Sequence, residues 1–202
     1  MNKITFIGDV HCKCLEYKKI IDRCEQSFCV GDFGFKSEWD WFINNVYDPL
    51  DNKHWINPGN HDYGRYLQHK LLGSTGNHSY FEEFGIFTVR GAESIDKHQR
   101  TEGVDWFSNE ELTFTEQLQA FDAFTKFTPK IVISHDCPQT VMEKLFGYPD
   151  KSQTRQMLQA MFDFHKPDLW VFGHHHRSKD VQIDGTRFVC LSELETMILE
   201  ID

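Results

Sequence analysis

Five short apolar runs in this chain each end in Asp, Asn or His, and this repeated layout constrains the fold more than any other feature. Trp55-Ile56 leads through a Pro-Gly turn into Asn60-His61-Asp62. The other four are Ile4-Thr5-Phe6-Ile7 before Gly8-Asp9-Val10-His11, Phe28-Cys29-Val30 before Gly31-Asp32, Ile131-Val132-Ile133 before Ser134-His135-Asp136, and Leu169-Trp170-Val171-Phe172 before Gly173-His174-His175-His176. Open α/β sheets bind ligands at the carboxyl ends of their strands. We therefore expect buried strands that deliver these polar side chains to a sheet edge.

The segments between the first runs have the spacing of amphipathic helices. Apolar residues at i, i+3, i+4 and i+7 predict a helix over about residues 14–23. The same spacing predicts a helix that starts at Ser37 and another over 152–165. Strands that alternate with helices are typical of a parallel or mixed sheet with helical cover.

A further helix is predicted in the middle of the chain. Thr113 and Glu116 resemble the capping box that often begins a helix. The residues expected on its inner face are Leu118, Phe121 and Phe124. Between 134 and 150 we expect a polar stretch, and no regular element is predicted there.

The remaining runs predict a second sheet. Short apolar runs at 80–81 and 86–89 are expected to be strands, and 181–189 is expected to form an antiparallel hairpin before a last strand. The polar loop over 91–103 is expected either to form a wall of the site or to be poorly ordered. Without a linker or repeat, the sequence predicts one domain over 1–202, built from two sheets.

Composition and charge limit the functions that this chain can have. With 40% apolar residues, including 18 Phe and 5 Trp, the chain can form a full core. No apolar run is long enough for a membrane span, and Met1 leads directly into a strand, so we expect a soluble, cytoplasmic protein with reduced cysteines. A net charge of −10 weighs against binding duplex nucleic acid through a broad basic face. An anionic substrate stays compatible, because bound cations reverse the field locally.

Seven of the side chains that close the predicted strands combine carboxylate, amide and imidazole groups. They are Asp9, His11, Asp32, Asn60, His135, His174 and His176. This mixture suits divalent Mn, Fe, Zn, Co or Ni better than an all-sulfur zinc site or an all-oxygen calcium site. Seven donors are too many for one open catalytic metal, and a carboxylate such as Asp32 can bridge two. We therefore expect two divalent ions, with Mn as the first candidate.

Taken in order, these motifs resemble those of the calcineurin-like metallophosphoesterase superfamily. The matching motifs are Gly8-Asp9-Val10-His11, Gly31-Asp32, Gly59-Asn60-His61-Asp62, Ser134-His135 and Gly173-His174-His175-His176. The resemblance covers most of the chain. It implies a four-layer α/β/β/α sandwich, in which two mixed sheets are flanked by helices and a dinuclear metal site lies at the carboxyl ends of the central strands.

The resemblance also implies how the residues divide between the two ions. One ion would take Asp9, His11 and His176, the other would take Asn60, His135 and His174, and Asp32 would bridge. His61 corresponds to the family's histidine that is not a ligand, and we expect it to protonate the leaving oxygen or to stabilise the charge forming there. The expected reaction is in-line attack on phosphorus by a hydroxide that bridges the ions.

Two departures separate this chain from the protein serine/threonine phosphatase branch of the superfamily. That branch continues its second motif with Asp-Arg-Gly, where this chain has Phe35-Lys36-Ser37, so the arginine clamp for phosphate is missing. The branch also has Gly and Glu where Cys12 and Asp62 stand. We therefore favour the phosphodiesterase or nucleotidase-like branch, which hydrolyses phosphodiesters or phosphomonoesters of nucleotide-like or small substrates.

Several other polar residues have weaker claims to a role in substrate binding. Arg90, His98 and Arg100 are candidates to contact the substrate phosphate, although each also fits a solvated surface position. Arg155 has the same two interpretations, a contact to the substrate phosphate or, as we expect, a solvated surface group.

Three residues beside the motifs have more than one interpretation. Asp62 fits either a group that orients a histidine or the cap of the helix that follows it. Asp136 fits a turn residue more simply than a support for the metal site. His175 is expected to be packed or exposed, and not a ligand.

Two alternative functions fit the same motifs. A nuclease that acts on single strands or ends would need a basic or aromatic groove beside the metals, and the sequence shows no obvious one. A non-catalytic scaffold would not need a complete ligand set, which this chain retains. The expected partner is therefore a phosphate ester such as a nucleotide, and the sequence does not indicate an oligomeric state.

Overall fold

The protein folds into two packed β-sheets with helices on their outer faces, and the computed structural model describes residues 2–62, 72–149 and 151–201. The strands are β1 (Asn2–Ile7), β2 (Gln26–Cys29), β3 (His54–Ile56), β4 (His78–Phe81), β5 (Ile86–Val89), β6 (Ile131–Ser134), β7 (Leu169–Phe172), β8 (Lys179–Ile183), β9 (Thr186–Cys190) and β10 (Thr196–Ile201). The described helices are α1 (Cys14–Ile21), α2 (Lys36–Asn45), α3 (Phe114–Phe127), α4 (Gln139–Phe146) and α5 (Gln153–Phe164), with a 3-10 turn at Lys97–Gln99. None of these helices is long and apolar enough to cross a membrane.

Both sheets are mixed, as predicted. The first has the order β10-β1-β2-β3, in which β1, β2 and β3 are parallel and β10 is antiparallel to β1. The second has the order β4-β5-β6-β7-β9-β8, in which β5, β6, β7 and β9 are parallel. Parallel strands end at the same edge of a sheet, so the loops after β1, β2 and β3 start side by side, as do those after β6 and β7.

Three apolar clusters set the order of the layers. The cluster between the sheets joins Phe6 and Phe28 of the first sheet to Ile133 and Val171 of the second. A second cluster joins the outer face of the first sheet to α1 and α2, and a third joins the second sheet to α3, α4 and α5. Successive strand residues face opposite sides, so Phe6 lies between the sheets and Ile7 lies against the helices. The predicted four-layer α/β/β/α sandwich is confirmed.

Helix α3 begins at the predicted capping box. The Thr113 hydroxyl oxygen accepts a hydrogen bond from the Glu116 N–H, and the Glu116 carboxylate accepts one from the Thr113 N–H. Phe124 is buried as predicted, but Leu118 is 49% exposed, so its placement on the inner face is wrong. Ala120 and Phe124 form the buried face, and a residue two positions before Ala120 lies almost on the opposite side of a helix.

Helix α4 lies within 134–150, for which the sequence predicts no regular element. Val141 and Met142 are among its buried residues, and it ends at Gly147, whose φ of 74° is left-handed. Its apolar residues stand at 141, 142, 145 and 146, which is the spacing of one helix face, so a helical signal was present in the stretch expected to be polar.

The predicted C-terminal hairpin is confirmed. Strands β8 and β9 are antiparallel, and Ile183 pairs with Thr186 across a turn formed by Asp184 and Gly185. The φ angles of these two turn residues are 50° and 92°, which match the right-handed twist of a hairpin. The last strand, β10, then returns to the first sheet and pairs with β1.

Candidate metal centre

The loops after β1, β2, β3, β6 and β7 converge beside the carboxyl ends of the parallel strands. The His11 N–H donates to the Asp32 carbonyl, and the His61 N–H donates to Asp32 Oδ1 at 2.9 Å. The Gly173 N–H donates to the carbonyl of His135. These hydrogen bonds to and from the backbone hold the loops together and bring their polar side chains to one place.

One group of side chains gathers around the Asp9 carboxylate. The donor atoms of Asp9, His11, Asp32 and His176 lie within 4.8 Å of one another. The Nε2 atoms of His11 and His176 are 2.8 Å apart, and His176 Nε2 is 3.4 Å from Asp9 Oδ2. Two imidazole nitrogens and two carboxylates therefore face one small volume.

A second group shares Asp32 with the first. The donor atoms of Asp32, His135 and His174 also lie within 4.8 Å of one another. His135 Nε2 is 3.2 Å from Asp32 Oδ1 and 3.1 Å from the amide oxygen of Asn60. His135 Nδ1 lies 3.1 Å from the Val30 carbonyl and donates to it, so Nε2 is the ring nitrogen that faces the cluster.

Four of the clustered residues have left-handed backbone angles. The φ angle is 45° at His11, 47° at Asp32, 66° at His174 and 50° at His176. Such angles cost a non-glycine residue about 1–3 kcal/mol, and they persist where the surrounding structure enforces them. Because this kind of strain concentrates at ligand clamps and active sites, it indicates a functional site and not merely a buried polar cluster.

Burial and proximity shift the pKa values of the clustered groups in different directions. Burial and the nearby Asp32 carboxylate raise the pKa of Asp9 to about 8. Burial lowers the pKa of His174 to about 3, which keeps its imidazole in the neutral form that ligates metals. Burial opposes the charged form of His135 too, but the Asp32 and Asp9 carboxylates outweigh it and raise its pKa to about 10. A cation in the cluster would relieve this competition between buried charges.

The donor set fits divalent metal ions. Asp9 Oδ1 is buried and has no hydrogen-bond partner among the described residues. An unpaired buried oxygen is costly, and a bound cation would satisfy it. Carboxylate, amide and imidazole donors together suit transition metals such as Mn, Fe, Zn, Co or Ni. The two groups that could each hold an ion are Asp9, His11 and His176 on one side and Asn60, His135 and His174 on the other, with Asp32 between them.

The Asn60 side chain is oriented by two residues that sequence reasoning missed. Asn60 Nδ2 donates to Ser94 Oγ at 2.9 Å, and Ser94 Oγ donates to Glu110 Oε2 at 2.5 Å. Because the amide nitrogen is engaged by Ser94, the amide oxygen faces His135 and the metal cluster. Ser94 and Glu110 lie far along the chain from Asn60, and no motif marks them.

Replacing Ser94 with Ala is expected to weaken metal binding at the Asn60 side by about 10- to 100-fold, the usual effect of removing a partner that orients a ligand. Calorimetric titration with Mn²⁺ measures this change. Ser37→Ala is the matched control, because Ser37 is exposed, donates to Glu38 and lines neither of the clefts beside the cluster. An unchanged Mn²⁺ affinity in Ser94→Ala would show that Asn60 needs no such support.

Asp62 holds two loops together. Its Oδ1 accepts hydrogen bonds from the Gly34 N–H and the Trp39 indole N–H, both at 3.0 Å, and its Oδ2 accepts one from the Gly59 N–H at 2.7 Å. No histidine is among its hydrogen-bond partners in the described part of the chain. The helix that Asp62 was expected to cap falls on residues outside the described part of the chain, so that prediction stays untested. Asp62 therefore fixes the β3 loop against the β2 loop.

Asp136 anchors the side chains of Arg155 and His175 beside the metal cluster. Its Oδ2 accepts a hydrogen bond from Arg155 Nε at 2.7 Å, and its Oδ1 lies 3.1 Å from His175 Nε2. Although burial opposes ionisation, His175 and Arg155 hold the pKa of Asp136 below its usual range. Arg155 is 3% exposed, so its expected surface position is wrong. Asp136 thus does more than close a turn, and His175 is packed, as predicted.

Comparison with known proteins identifies the family. The sequence profile described as calcineurin-like phosphoesterase matches residues 2–178. The chain belongs to this family. The resemblance seen in the five motifs is therefore confirmed, and the candidate ligand clusters lie in a family of metal-dependent phosphoesterases. No protein of curated function matches the sequence significantly.

Solved structures with the same fold have diverged far in sequence. A candidate 5′-nucleotidase from Staphylococcus aureus aligns with all of this chain at a TM-score of 0.56 and 14% identity, over 51% of its own length. Phosphopantetheinyl hydrolase from Mycobacterium tuberculosis aligns with 95% of this chain, over 90% of its own length, at a TM-score of 0.53 and 15% identity. GAP50, described as the anchor in the inner membrane complex of Plasmodium, aligns at a TM-score of 0.52 and 9% identity. The alignment covers 95% of this chain and 72% of GAP50. This phosphoesterase-family chain spans about half the length of the Staphylococcus aureus protein. Because all three sequence identities are 15% or lower, the structural similarity shows the fold alone.

Two clefts meet at the candidate metal centre of this family member. The larger has a volume of about 400 Å³ and the smaller about 320 Å³. Asp32, His61, Arg100 and His176 line both clefts. The loop over 91–103 contributes to the wall of the larger cleft, which agrees with its expected role as a wall of the site.

The three residues predicted to contact substrate lie in three different environments. Arg100 lines both clefts. Arg90 is buried and donates to the Asn77 side chain and the Asn109 carbonyl, so it braces the fold and lines neither cleft. His98 is exposed and bonds to Gln99, and it lines neither cleft either. Of the three, the geometry favours Arg100 alone as a substrate contact.

Gly59 lies so close to the metal cluster that no larger residue fits at this position. A Cβ added to Gly59 would lie 2.2 Å from Asp32 Oδ1 and 2.7 Å from His135 Nε2. The backbone of the β3 loop therefore approaches two candidate ligands closer than any side chain allows. Glycine is required here by the lack of space.

Proposed function

We propose that this protein is a metal-dependent phosphoesterase that hydrolyses phosphodiesters or phosphomonoesters of nucleotide-like or other small substrates. The observation that carries the proposal is the pair of donor groups that share Asp32, placed where two clefts meet beside His61 and Arg100. The family assignment supports hydrolysis of a phosphate ester. The seven candidate ligands would hold two divalent ions, with Mn²⁺ as the first candidate.

Bound divalent ions supply an activated water at neutral pH and offset negative charge on the phosphoryl oxygens. The protein's own groups then have three tasks: to hold the phosphate, to orient it and to provide a proton for the leaving oxygen. His61 and Arg100 are placed for these tasks, since both line the two clefts.

Arg100 sets the position of the proton on His61. Arg100 Nη1 lies 3.4 Å from His61 Nδ1, and a guanidinium group can only donate hydrogen bonds. His61 Nδ1 is therefore the acceptor in this contact, which leaves Nε2 as the ring nitrogen that can donate. From there, His61 would donate a hydrogen bond to the leaving oxygen of the ester, which stabilises the charge forming on that oxygen or passes the proton to it. The His61 backbone is held by its N–H bond to Asp32 Oδ1.

Arg100 itself is held in place by Asp96. Its Nε and Nη2 atoms donate to the two Asp96 oxygens at 2.7 and 2.8 Å. Nη1, which also donates to the Asp105 carbonyl at 3.3 Å, is directed towards His61, where a substrate phosphate would also lie. Arg100 thus supplies a cation beside the metal centre, although the second motif lacks the arginine of the protein phosphatase branch.

Replacing Arg100 with Ala is expected to lower kcat/KM by about 10- to 100-fold, the effect of losing a hydrogen bond to a charged group. Steady-state kinetics on the manganese-loaded protein measure the change. Arg187→Ala is the matched control, since Arg187 forms a similar bidentate pair with Asp180 but lines neither cleft. Wild-type kcat/KM in Arg100→Ala would remove Arg100 from the proposed site.

The test of the proposed function is a screen of the metal-free protein loaded with Mn²⁺, Fe²⁺, Zn²⁺, Co²⁺ or Ni²⁺. Bis-p-nitrophenyl phosphate and p-nitrophenyl phosphate are compared first, and cyclic and linear nucleotides follow. We expect hydrolysis that depends on the metal, and a preference for the diester would indicate a phosphodiesterase. Two bound ions with no hydrolysis of any ester would contradict the proposal and favour a non-catalytic scaffold.

A further inference from the structure

The larger cleft extends from the candidate metal centre to an apolar end. Asn60 and His174 line it at the metal side, and Met142, Phe146 and Tyr148 line it at the end of α4. Its volume of about 400 Å³ lies within the range of about 300–1,000 Å³ that is typical of small-molecule sites. An ester with its phosphate at the metal centre would therefore extend towards α4.

The apolar end presents side chains that the fold leaves unburied. Tyr148 is 48% exposed, and Ile95, from the loop over 91–103, is 82% exposed. Both line the same cleft, with the buried Met142 behind them. Isolated exposed apolar residues are common, but a group that lines one cleft beside polar functional groups is typical of a ligand site.

The aromatic wall is braced by the buried network around Asp136. The Phe146 ring lies 4.3 Å from the His175 ring between centroids, and His175 is held by Asp136. Arg155 is paired with Asp136 as well, whereas Arg177, which also lines this cleft, has no ion-pair partner among the described residues. The cleft therefore combines rigid aromatic surface with an available guanidinium group.

We propose that this apolar end binds a planar ring in the alcohol part of the ester, so that the substrates are nucleotides or similar ring-bearing esters and not simple sugar phosphates. The inference rests on the proposed function, because the ring site is defined by a phosphate at the metal centre. Aromatic faces and a guanidinium group both stack on planar rings, and such stacking is tolerant of the ring's identity. Tyr148, the most exposed aromatic in this wall, is the main stacking surface.

Competition with bis-p-nitrophenyl phosphate hydrolysis by the manganese-loaded protein tests this inference. Adenosine 5′-monophosphate is expected to compete about fivefold or more better than ribose 5-phosphate, the lower end of base–aromatic stacking. Tyr148→Leu is expected to remove the difference, and Tyr148→Phe, which retains the ring, to preserve it. Phe164→Ala is the control, since Phe164 is 56% exposed but lines neither cleft.

Equal competition by the two phosphates, or an unchanged preference in Tyr148→Leu, would overturn the ring site. Saturation-transfer NMR with adenosine tests the ring site without turnover. Adenosine binding that is lost in Tyr148→Leu, in a protein that hydrolyses no ester, would support the ring site and refute the proposed function. Ester hydrolysis by a protein that binds no adenosine would support the proposed function and refute the ring site.

Discussion

Replacing His61 with Ala is expected to leave both metal ions bound and to reduce turnover by about 10²- to 10⁴-fold, the range for loss of a general acid. His61 lines both clefts but belongs to neither group of candidate ligands. Its removal should therefore spare the metals. The loss should be larger for esters with poor leaving groups, because these depend most on protonation of the leaving oxygen.

Metal analysis and a series of aryl and alkyl esters measure these two effects. His98→Ala is the matched control, since His98 is an exposed histidine that lines neither cleft and should behave as the wild type. A uniform loss across the leaving-group series would exclude protonation by His61. Loss of a metal ion in His61→Ala would instead make His61 a ligand.

Gly59→Ala is expected to abolish binding of both ions, although it adds a single methyl group. The new Cβ would lie 2.2 Å from Asp32 Oδ1, and Asp32 belongs to both donor groups. Forcing a methyl group into packed structure costs about 1–3 kcal/mol or more. We therefore expect a lower Tm together with the loss of metal.

Thermal unfolding and metal titration measure these two effects. Gly185→Ala is the control, because a Cβ there meets no atom within 4 Å, while its φ of 92° still strains the backbone. This control should lose about 1–2 kcal/mol of stability but bind metal normally. If the Gly59→Ala variant binds two ions with wild-type affinity, the β3 loop moves easily and metal binding by Asp32 does not depend on the position of that loop.

Short stretches of sequence determine several strands of this protein, the polar residues at their ends, one helix cap and one turn. Apolar runs and their turns predict β1, β2, β6 and β7, because a strand buried on both faces requires continuous apolar residues. The first candidate ligand after each run must lie near the strand end, since at most three residues separate it from the strand. The Thr113 capping box and the Asp184-Gly185 turn are likewise local, so both were predicted correctly.

Other features depend on contacts between distant parts of the chain, and only the tertiary structure decided them. Helix α4 is too short to be stable by itself, and the apolar cluster that it shares with α3, α5 and the second sheet holds it in place. Asp136 binds Arg155, 19 positions away, and Ser94 reaches Asn60 from 34 positions away. Each partner is an ordinary polar residue in its own segment. The sequence alone thus determined which donors close the strands, whereas the packing of two sheets determined which groups orient them, since those partners are joined only through space.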